Sequence, residues 1–350
     1  MLGVCVVYLV HGPGGFHLLD LSIAQLERLT AGPYRLYGCC PGNDGETLRR
    51  MQRHGVIIQE APAERPANVA AEHASLLDIL VDRAFSEGCT HVATFDMDSW
   101  PIQKRWDRLY RSVLTKETPV AAVVRTELQD NFPSPLFTMM RAGFWRRGKS
   151  SFGLGQRGRF TPQARRLSSR PGESGSGILA QLHDAGLSFH RLERSNSWDV
   201  HPVMAALYDN TIFHLGAGSR APRFRSDHKA YQPGRSPIRR RFADQMNEAC
   251  QAFTLAEVLN RHDEFVAELA GKGARPLKPI ETDPKALPKT MTLTPAARRQ
   301  RWSVNRPGGT SGSTAAPRSM PAPGPPATTT PPRQRTLRST GPGRGGDQPD

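Results

Sequence analysis

The run GVCVVYLVHG, residues 3–12, limits the fold of this chain more than any other stretch: it is apolar almost without interruption and ends in GPGG. A strand with one face in water alternates polar and apolar positions. A continuous apolar run bounded by turn residues suits a parallel strand covered on both faces. Such a strand needs helices above and below, and the following sequence offers them in order. HLLDLSIAQLERLT carries Leu18, Leu19, Leu21, Ile23, Leu26 and Leu29 near helical spacing. Then come a strand YRLYGCC, a turn PGNDG, a helix ETLRRMQRHG, a short strand VIIQEA, a long helix NVAAEHASLLDILVDRAFSEG and a strand HVATFDMD. This alternation predicts an α/β fold built on a mostly parallel sheet flanked by helices.

Parallel α/β sheets bind ligands beyond the carboxyl ends of their strands, and HVATFDMD ends in Asp96 and Asp98. Together they suit a hard divalent cation, Mg²⁺ or Mn²⁺, which takes one or two carboxylates and substrate phosphates. The chemistry that follows is loss of a diphosphate whose developing charge the cation neutralises. The same Asp-x-Asp also suits a turn in which Asp98 or Ser99 caps a helix over WPIQKRWDRLYRSVL.

Composition shifts near residue 274, after which the chain is rich in Pro and Gly, with no hydrophobic period. That composition predicts a disordered tail over 274–350. The tail holds 13 Lys+Arg against 4 Asp+Glu, so it contributes +9 of the formal +15. A tail of this charge suits an anionic partner such as nucleic acid or lipid, and equally a solubilising role with no partner. The five cysteines, Cys5, Cys39, Cys40, Cys89 and Cys250, show neither paired metal-ligand spacing nor a disulfide framework, and adjacent Cys39 and Cys40 read as strand residues on opposite faces. No apolar run approaches the roughly 18 residues of a membrane span, and the opening lacks a basic leader. The expectation is a cytoplasmic chain with no transmembrane segment that can also lie at a membrane surface.

GCTHVATFDMDSWPI, preceded by a long helix and two strand-helix units, resembles the Asp-x-Asp strand of nucleotide-sugar glycosyltransferases of the GT-A fold, in particular their family 2-like group. The resemblance covers roughly residues 3–220. YGCCPGNDGETLRRM is similar to that family's second strand and turn, which implies that Asp44 meets the nucleotide base. LVHGPGG resembles the loop beneath the nucleotide, which implies that His11 and Gly12 line that pocket, and in the resembling family the helix matching that of His73 borders the nucleotide, which implies that His73 faces the donor diphosphate. PGESGSGILAQLHDAGLSFHRLE resembles the family's acidic turn and helix, implying Glu173 as the base that deprotonates the acceptor hydroxyl. The common form has two adjacent acids, whereas Glu173 is followed by Ser174 and Gly175. Glu173 also reads as a charge complementing a helix dipole. NTIFHLGAGSR resembles the closing segment whose histidine completes the metal or diphosphate site, which implies His214 as a ligand beside Asp96 and Asp98. His214 equally suits a satisfied core position, and His73 a surface or core one.

The stretch 141–170 holds nine Lys+Arg and no acid, which predicts a mobile basic loop that either closes over the donor or is simply solvated. Residues 223–242 form a second basic stretch, interleaved with Phe224, Tyr231 and Phe242. The expected organisation is a GT-A-like domain over 1–222, a basic stretch and amphipathic helix over 223–273, and the tail. The expected function is metal-dependent transfer of a sugar from a nucleotide-sugar donor to an acceptor hydroxyl the sequence does not name. A nucleotidyltransferase on a similar sheet is a weaker reading, because HGPGGFHLLD has the glycines but not the basic residues of such a loop. A non-catalytic protein that binds nucleic acid or acts as a scaffold would need no metal and would bind polyanions with strong salt dependence.

Overall fold

The computed structural model describes residues 1–10, 12–64, 66, 68–128, 130–147, 150–154, 160–169, 172–196, 204–216, 237–270 and 278–280. The chain divides into two units, Met1–Thr292 and Leu293–Asp350. The second unit lies wholly outside the described residues, as do residues 223–236 and all of the expected tail except 278–280.

The opening alternation appears as β1 (Leu2–Val7), α1 (Gly12–Leu29), β2 (Tyr34–Cys39), α2 (Gly45–Arg53), β3 (Ile57–Ile58), α3 (Val69–Ser86) and β4 (His91–Asp96). β1 lies between β2 and β4, parallel to both, with Val7 opposite Cys39 on one side and Asp96 on the other. The chain continues through β5 (Ser99–Pro101), α4 (Trp106–Val113), β6 (Val120–Val123), β7 (Ser134–Arg141), α5 (Ala142–Arg147), α6 (Pro162–Leu167), α7 (Ser176–Asp184), β8 (Phe189–Leu192), β9 (Ala206–Tyr208), β10 (Ile212–His214), α8 (Pro237–Leu269) and β11 (Lys278–Ile280). The main sheet has the order β11-β8-β6-β7-β4-β1-β2-β3. Only β7 and β11 run against the rest, so the sheet is mostly parallel, as expected. Among the described residues, no helix is long and apolar enough to cross a membrane.

The apolar run of β1 is explained by what covers it. Val4 and Val6 pack with Leu18, Leu19, Ile23 and Leu26 of α1 and with Trp106 and Tyr110 of α4 on one face of the sheet. Cys5 and Val7 pack with Leu76, Leu77 and Leu80 of α3 on the other. Both faces of β1 are therefore dry, and burying each such side chain stabilises by about 1.5–3 kcal/mol. Cys39 and Cys40 divide in the same way between the two cores.

The segment after Asp98 does not take the alternative reading, a helix capped by Asp98 or Ser99. Residues 99–101 form β5 and pair antiparallel with β10, which pairs with β9 in a second, three-stranded sheet. Trp100 explains the difference: it is fully buried against Phe213, with ring centroids 5.0 Å apart. Ser99 spends its hydroxyl on the Leu136 carbonyl at 2.6 Å and the Asp96 carbonyl at 3.0 Å. Helix begins only at Trp106, after Arg105 in a left-handed conformation at φ 66. Neither Asp98 nor Ser99 caps it.

The basic stretch 141–170 also differs from a plain loop. It carries α5 and α6, and Asp78 of α3 accepts hydrogen bonds from the Ser151 hydroxyl at 2.6 Å and the Phe152 N–H at 2.8 Å. Residues 148–149, 155–159 and 170 lie outside the described residues.

The C-terminal helix α8 breaks at Arg261 (φ −147, ψ 49), and beyond the break it docks on β5 and α1. The Trp100 indole N–H donates to His262 Nε2 at 2.8 Å. An indole can only donate, so the ring proton sits on Nδ1, which faces Asp263 at 2.8 Å. Asp263 takes a bidentate contact from Arg28 of α1 at 2.7 and 2.8 Å.

Two stability predictions follow from this packing. Gly175, before α7, has φ +104, and a Cβ there would lie 1.9 Å from the Pro133 carbonyl oxygen. Gly175→Ala is expected to lower unfolding stability by at least the ~1–3 kcal/mol of a strained backbone position, read by denaturant titration. The Asp263 carboxyl is held down to about 2, first by Arg28 and then by His262. A depressed carboxyl contributes stability above its ordinary value near 4 that is lost as pH falls toward 2. Asp263→Asn is expected to flatten the loss of thermal stability across that acid window.

Candidate metal centre

β4 delivers Asp96 to the carboxyl edge of the sheet, and the chain then turns sharply through Met97, Asp98 and Ser99. Met97 is buried at 2 % exposure, so its side chain fills the core while its two neighbours face away from it. β10 closes the site from the other side. His214 pairs with Ser99 in register, and the Leu215 N–H donates to the Asp98 carbonyl at 2.9 Å. One strand pairing therefore sets the imidazole beside the second aspartate.

Asp96, Asp98 and His214 each offer a ligand atom, and these atoms lie within 4.8 Å of one another. His214 Nε2 is 3.7 Å from Asp98 Oδ1, and His73 Nε2, from α3, is 3.5 Å from Asp96 Oδ1. The Asp96 side chain is 29 % exposed, against 4 % for Asp98 and 10 % for His214. The cluster thus opens toward solvent on the Asp96 side and is dry behind. Among the described residues, Asp96 Oδ1 and His214 Nδ1 are buried polar atoms without a hydrogen-bond partner. Such atoms are costly to leave unsatisfied. Two carboxylates and an imidazole fit a divalent cation such as Mg²⁺ or Mn²⁺, with Asp96, Asp98 and His214 as ligands and His73 behind Asp96.

The other sequence-derived candidates lie along the same edge of the sheet or outside the described residues. Gly12 begins α1, and His11 lies outside the described residues. Asp44 follows β2 and caps α2, accepting from the Thr47 N–H at 2.9 Å and the Thr47 hydroxyl at 2.7 Å. These bonds hold its carboxyl below the usual range, the hydroxyl contributing most. Glu173 sits in the turn before α7. Next to it, the Ser174 hydroxyl donates to the Ala70 carbonyl at 2.8 Å, tying this turn to α3 one helical turn before His73.

One constellation escaped the sequence reading. Arg125, just past β6, contacts Asp130 at 2.9 Å. Burial works against its charge, but Asp130, Tyr208, Glu173 and Glu127 together hold its pKa above the ordinary arginine value. The Tyr208 hydroxyl donates to Glu127 in a short hydrogen bond, and burial, then Glu127, raises the tyrosine well above its usual value. Glu173 is therefore part of a mostly buried charged group at the carboxyl end of β6. The signal was present in VVRTELQD, where an arginine and two acids follow an apolar strand as Asp96 and Asp98 do.

No family model matches the chain, and no curated protein is similar to it. Several solved structures match parts of the chain at low identity. The Pyrobaculum calidifontis mannosyltransferase PcManGT, in complex with GDP-Man and Mn²⁺, is 11 % identical over 77 % of each chain, with a TM-score of 0.36. S. aureus TarS 1–349 in complex with UDP-GlcNAc is 10 % identical over 43 % of this chain, with a TM-score of 0.29. Mouse xyloside xylosyltransferase 1 is 8 % identical over 42 % of this chain and 68 % of its own, with a TM-score of 0.32. The chain spans 48 % of that TarS structure. At TM-scores this low the likeness carries no argument about chemistry, which rests on the side chains.

The prediction is a metal-binding one. Titration of the full chain with Mn²⁺, read by electron paramagnetic resonance, is expected to show one site that His214→Ala removes. A residue behind a ligand typically matters about 10–100-fold for metal affinity, so His73→Gln is expected to weaken this site by that order. Unchanged Mn²⁺ affinity in His214→Ala would separate the histidine from the cation.

Proposed function

We propose that the protein is a divalent-cation-dependent glycosyltransferase that moves a sugar from a nucleotide-sugar donor to an acceptor hydroxyl. The observation that supports it best is the Asp96, Asp98 and His214 cluster at the carboxyl end of β4, whose ligand atoms lie within 4.8 Å of one another. Its place on the sheet adds to this. Val7, at the end of β1, lies between Cys39 and Asp96, so the loops after β1, β2 and β4 open on one edge. A donor laid along that edge meets Asp44 after β2 and His11 and Gly12 after β1. Its diphosphate meets the aspartates, His73 and the N-terminal end of α1, whose dipole favours anions.

When bound, the cation stabilises negative charge on the departing diphosphate. The residues of the chain carry the rest. Asp98 and His214 hold their positions through the β5–β10 pairing, and Asp96 is oriented by His73. Glu173 serves as base: the acceptor oxygen bonds the anomeric carbon as its proton passes to the Glu173 carboxylate. The bond from that carbon to the diphosphate breaks, and its electron pair leaves on the diphosphate. Arg125 places a positive charge beside Glu173. In this reading residues 1–222 form the transferase domain, residues 223–273 an added basic stretch and helix, and the tail a region for an anionic partner.

Thermal shift tests the reading. The full chain is expected to be stabilised by one of UDP-, GDP-, dTDP- or CMP-sugars only when Mn²⁺ is present, by ~2.7 kcal/mol at a hundredfold excess over Kd. Asp98→Ala, which removes a ligand at a strand end without touching the cores, is expected to keep the melting temperature and lose this shift. An equal metal-dependent shift in the variant would sink the assignment of Asp98.

A further inference from the structure

At the opposite end of β4 lies a cavity of about 150 Å³ lined by Thr115, Lys116, Pro119, Arg141, Gly143, Phe144, Arg147 and Leu187. Arg141 pairs with His91, the first residue of β4, whose last is Asp96. At ~3.3 Å per strand residue the cavity is about 16 Å from the metal centre. It does not belong to the donor edge of the sheet.

We infer that this cavity binds the headgroup phosphate of an anionic phospholipid. Its chemistry is divided in the way such a ligand needs. Pro119, Phe144 and Leu187 give apolar walls, and Lys116, Arg141 and Arg147 give three cations at the rim. Among the described residues, no ion pair binds any of the three to a carboxylate. One acid is near: Glu117, fully exposed, whose carboxyl is lowered by its own backbone N–H and the Thr115 hydroxyl first and by Lys116 and Arg141 after. The net field remains positive. The pKa of the adjacent His91 falls to about 4, first through burial and then through Arg111, Arg141 and the amino terminus.

The walls are also pre-formed. Glu117 and Thr118 N–H groups donate to the Thr115 hydroxyl at 3.1 and 3.0 Å. The Thr118 and Ser188 hydroxyls meet at 2.8 Å, and the Arg141 N–H donates to the Pro119 carbonyl at 3.1 Å. Size and charge select the occupant. The cavity is well below the ~300–1,000 Å³ of a site that encloses a drug-sized molecule, so it takes a headgroup and leaves the remainder outside. Inorganic phosphate would gain nothing from Phe144 and Leu187.

Calorimetric titration of the full chain with soluble dihexanoyl phosphatidic acid, inorganic phosphate and dihexanoyl phosphatidylcholine tests this. The phosphatidic acid is expected to bind well ahead of the other two. The exposed pair Lys116→Glu and Arg147→Glu is expected to weaken it about thirtyfold, at roughly fivefold per cation. A control of equal charge change, Lys104→Glu with Arg108→Glu, is expected to change it less than about twofold. The same ranking is expected in co-sedimentation with phosphatidylcholine vesicles containing phosphatidic acid, and melting curves check that both variants fold. Equal losses in the two variants would reduce the effect to general charge and overturn the inference. So would inorganic phosphate binding as tightly as the lipid, or a pocket variant that binds like the parent.

Discussion

The short pairing of β5 with β10 governs most of what this protein can do. It begins one residue after Asp98, holds His214 opposite Ser99, and brings the Leu215 N–H to the Asp98 carbonyl. Without it, the chain after β4 would have no reason to leave the sheet at that point. The pairing is stabilised by Trp100, buried between Phe213 and the ring of His262. The geometry of the candidate metal centre therefore depends on apolar packing more than a hundred residues away in sequence.

This arrangement divides the molecule into a rigid frame and a polar edge. β1 is dry on both faces, and its two cores, with α1, α4 and α8 on one side and α3, α5 and α7 on the other, fix the positions of the strand ends. Polar groups collect where the strands stop. Asp96 and Asp98 follow β4, Asp44 follows β2, and Arg125 with Glu127 and Asp130 follows β6. Burial of charged groups is expensive unless they are paired: Asp130 partners Arg125 and Tyr208 donates to Glu127, while Asp44, at the surface, caps α2 through Thr47. In the cluster of Asp96, Asp98 and His214, Asp96 Oδ1 and His214 Nδ1 make no hydrogen bond among the described residues. A cation would satisfy those atoms.

The sheet has chemistry at both ends. The carboxyl end of β4 carries two aspartates and a histidine, and the other end carries arginines and a lysine around an apolar hollow. The two sites have opposite charge and are separated by the length of one strand. An anionic surface engaged at the basic end would leave the acidic end facing away from it, open to solvent-borne ligands.

Much of this was legible in the sequence, because local patterns report burial directly. The uninterrupted apolar run at residues 3–10 required a strand covered on two sides, and the helical spacing from Leu18 to Leu29 supplied one cover. Asp96 and Asp98 stood out because two carboxylates at the end of a buried strand have few structural uses. The alternative reading of a helix capped by Asp98 or Ser99 fails because of the burial of Trp100, an interaction with Phe213 and His262 that no local window contains. The nearness of His73 to Asp96 and of Glu173 to Arg125 was likewise settled by how α3, α7 and β6 pack. The sequence by itself determined the alternation of strands and helices in the first half and the residues able to bind a cation, since both follow from hydrophobic period and side-chain chemistry. Only the tertiary structure decided which of those residues meet, because distances between them are set by strand register and by the fit of side chains from remote parts of the chain.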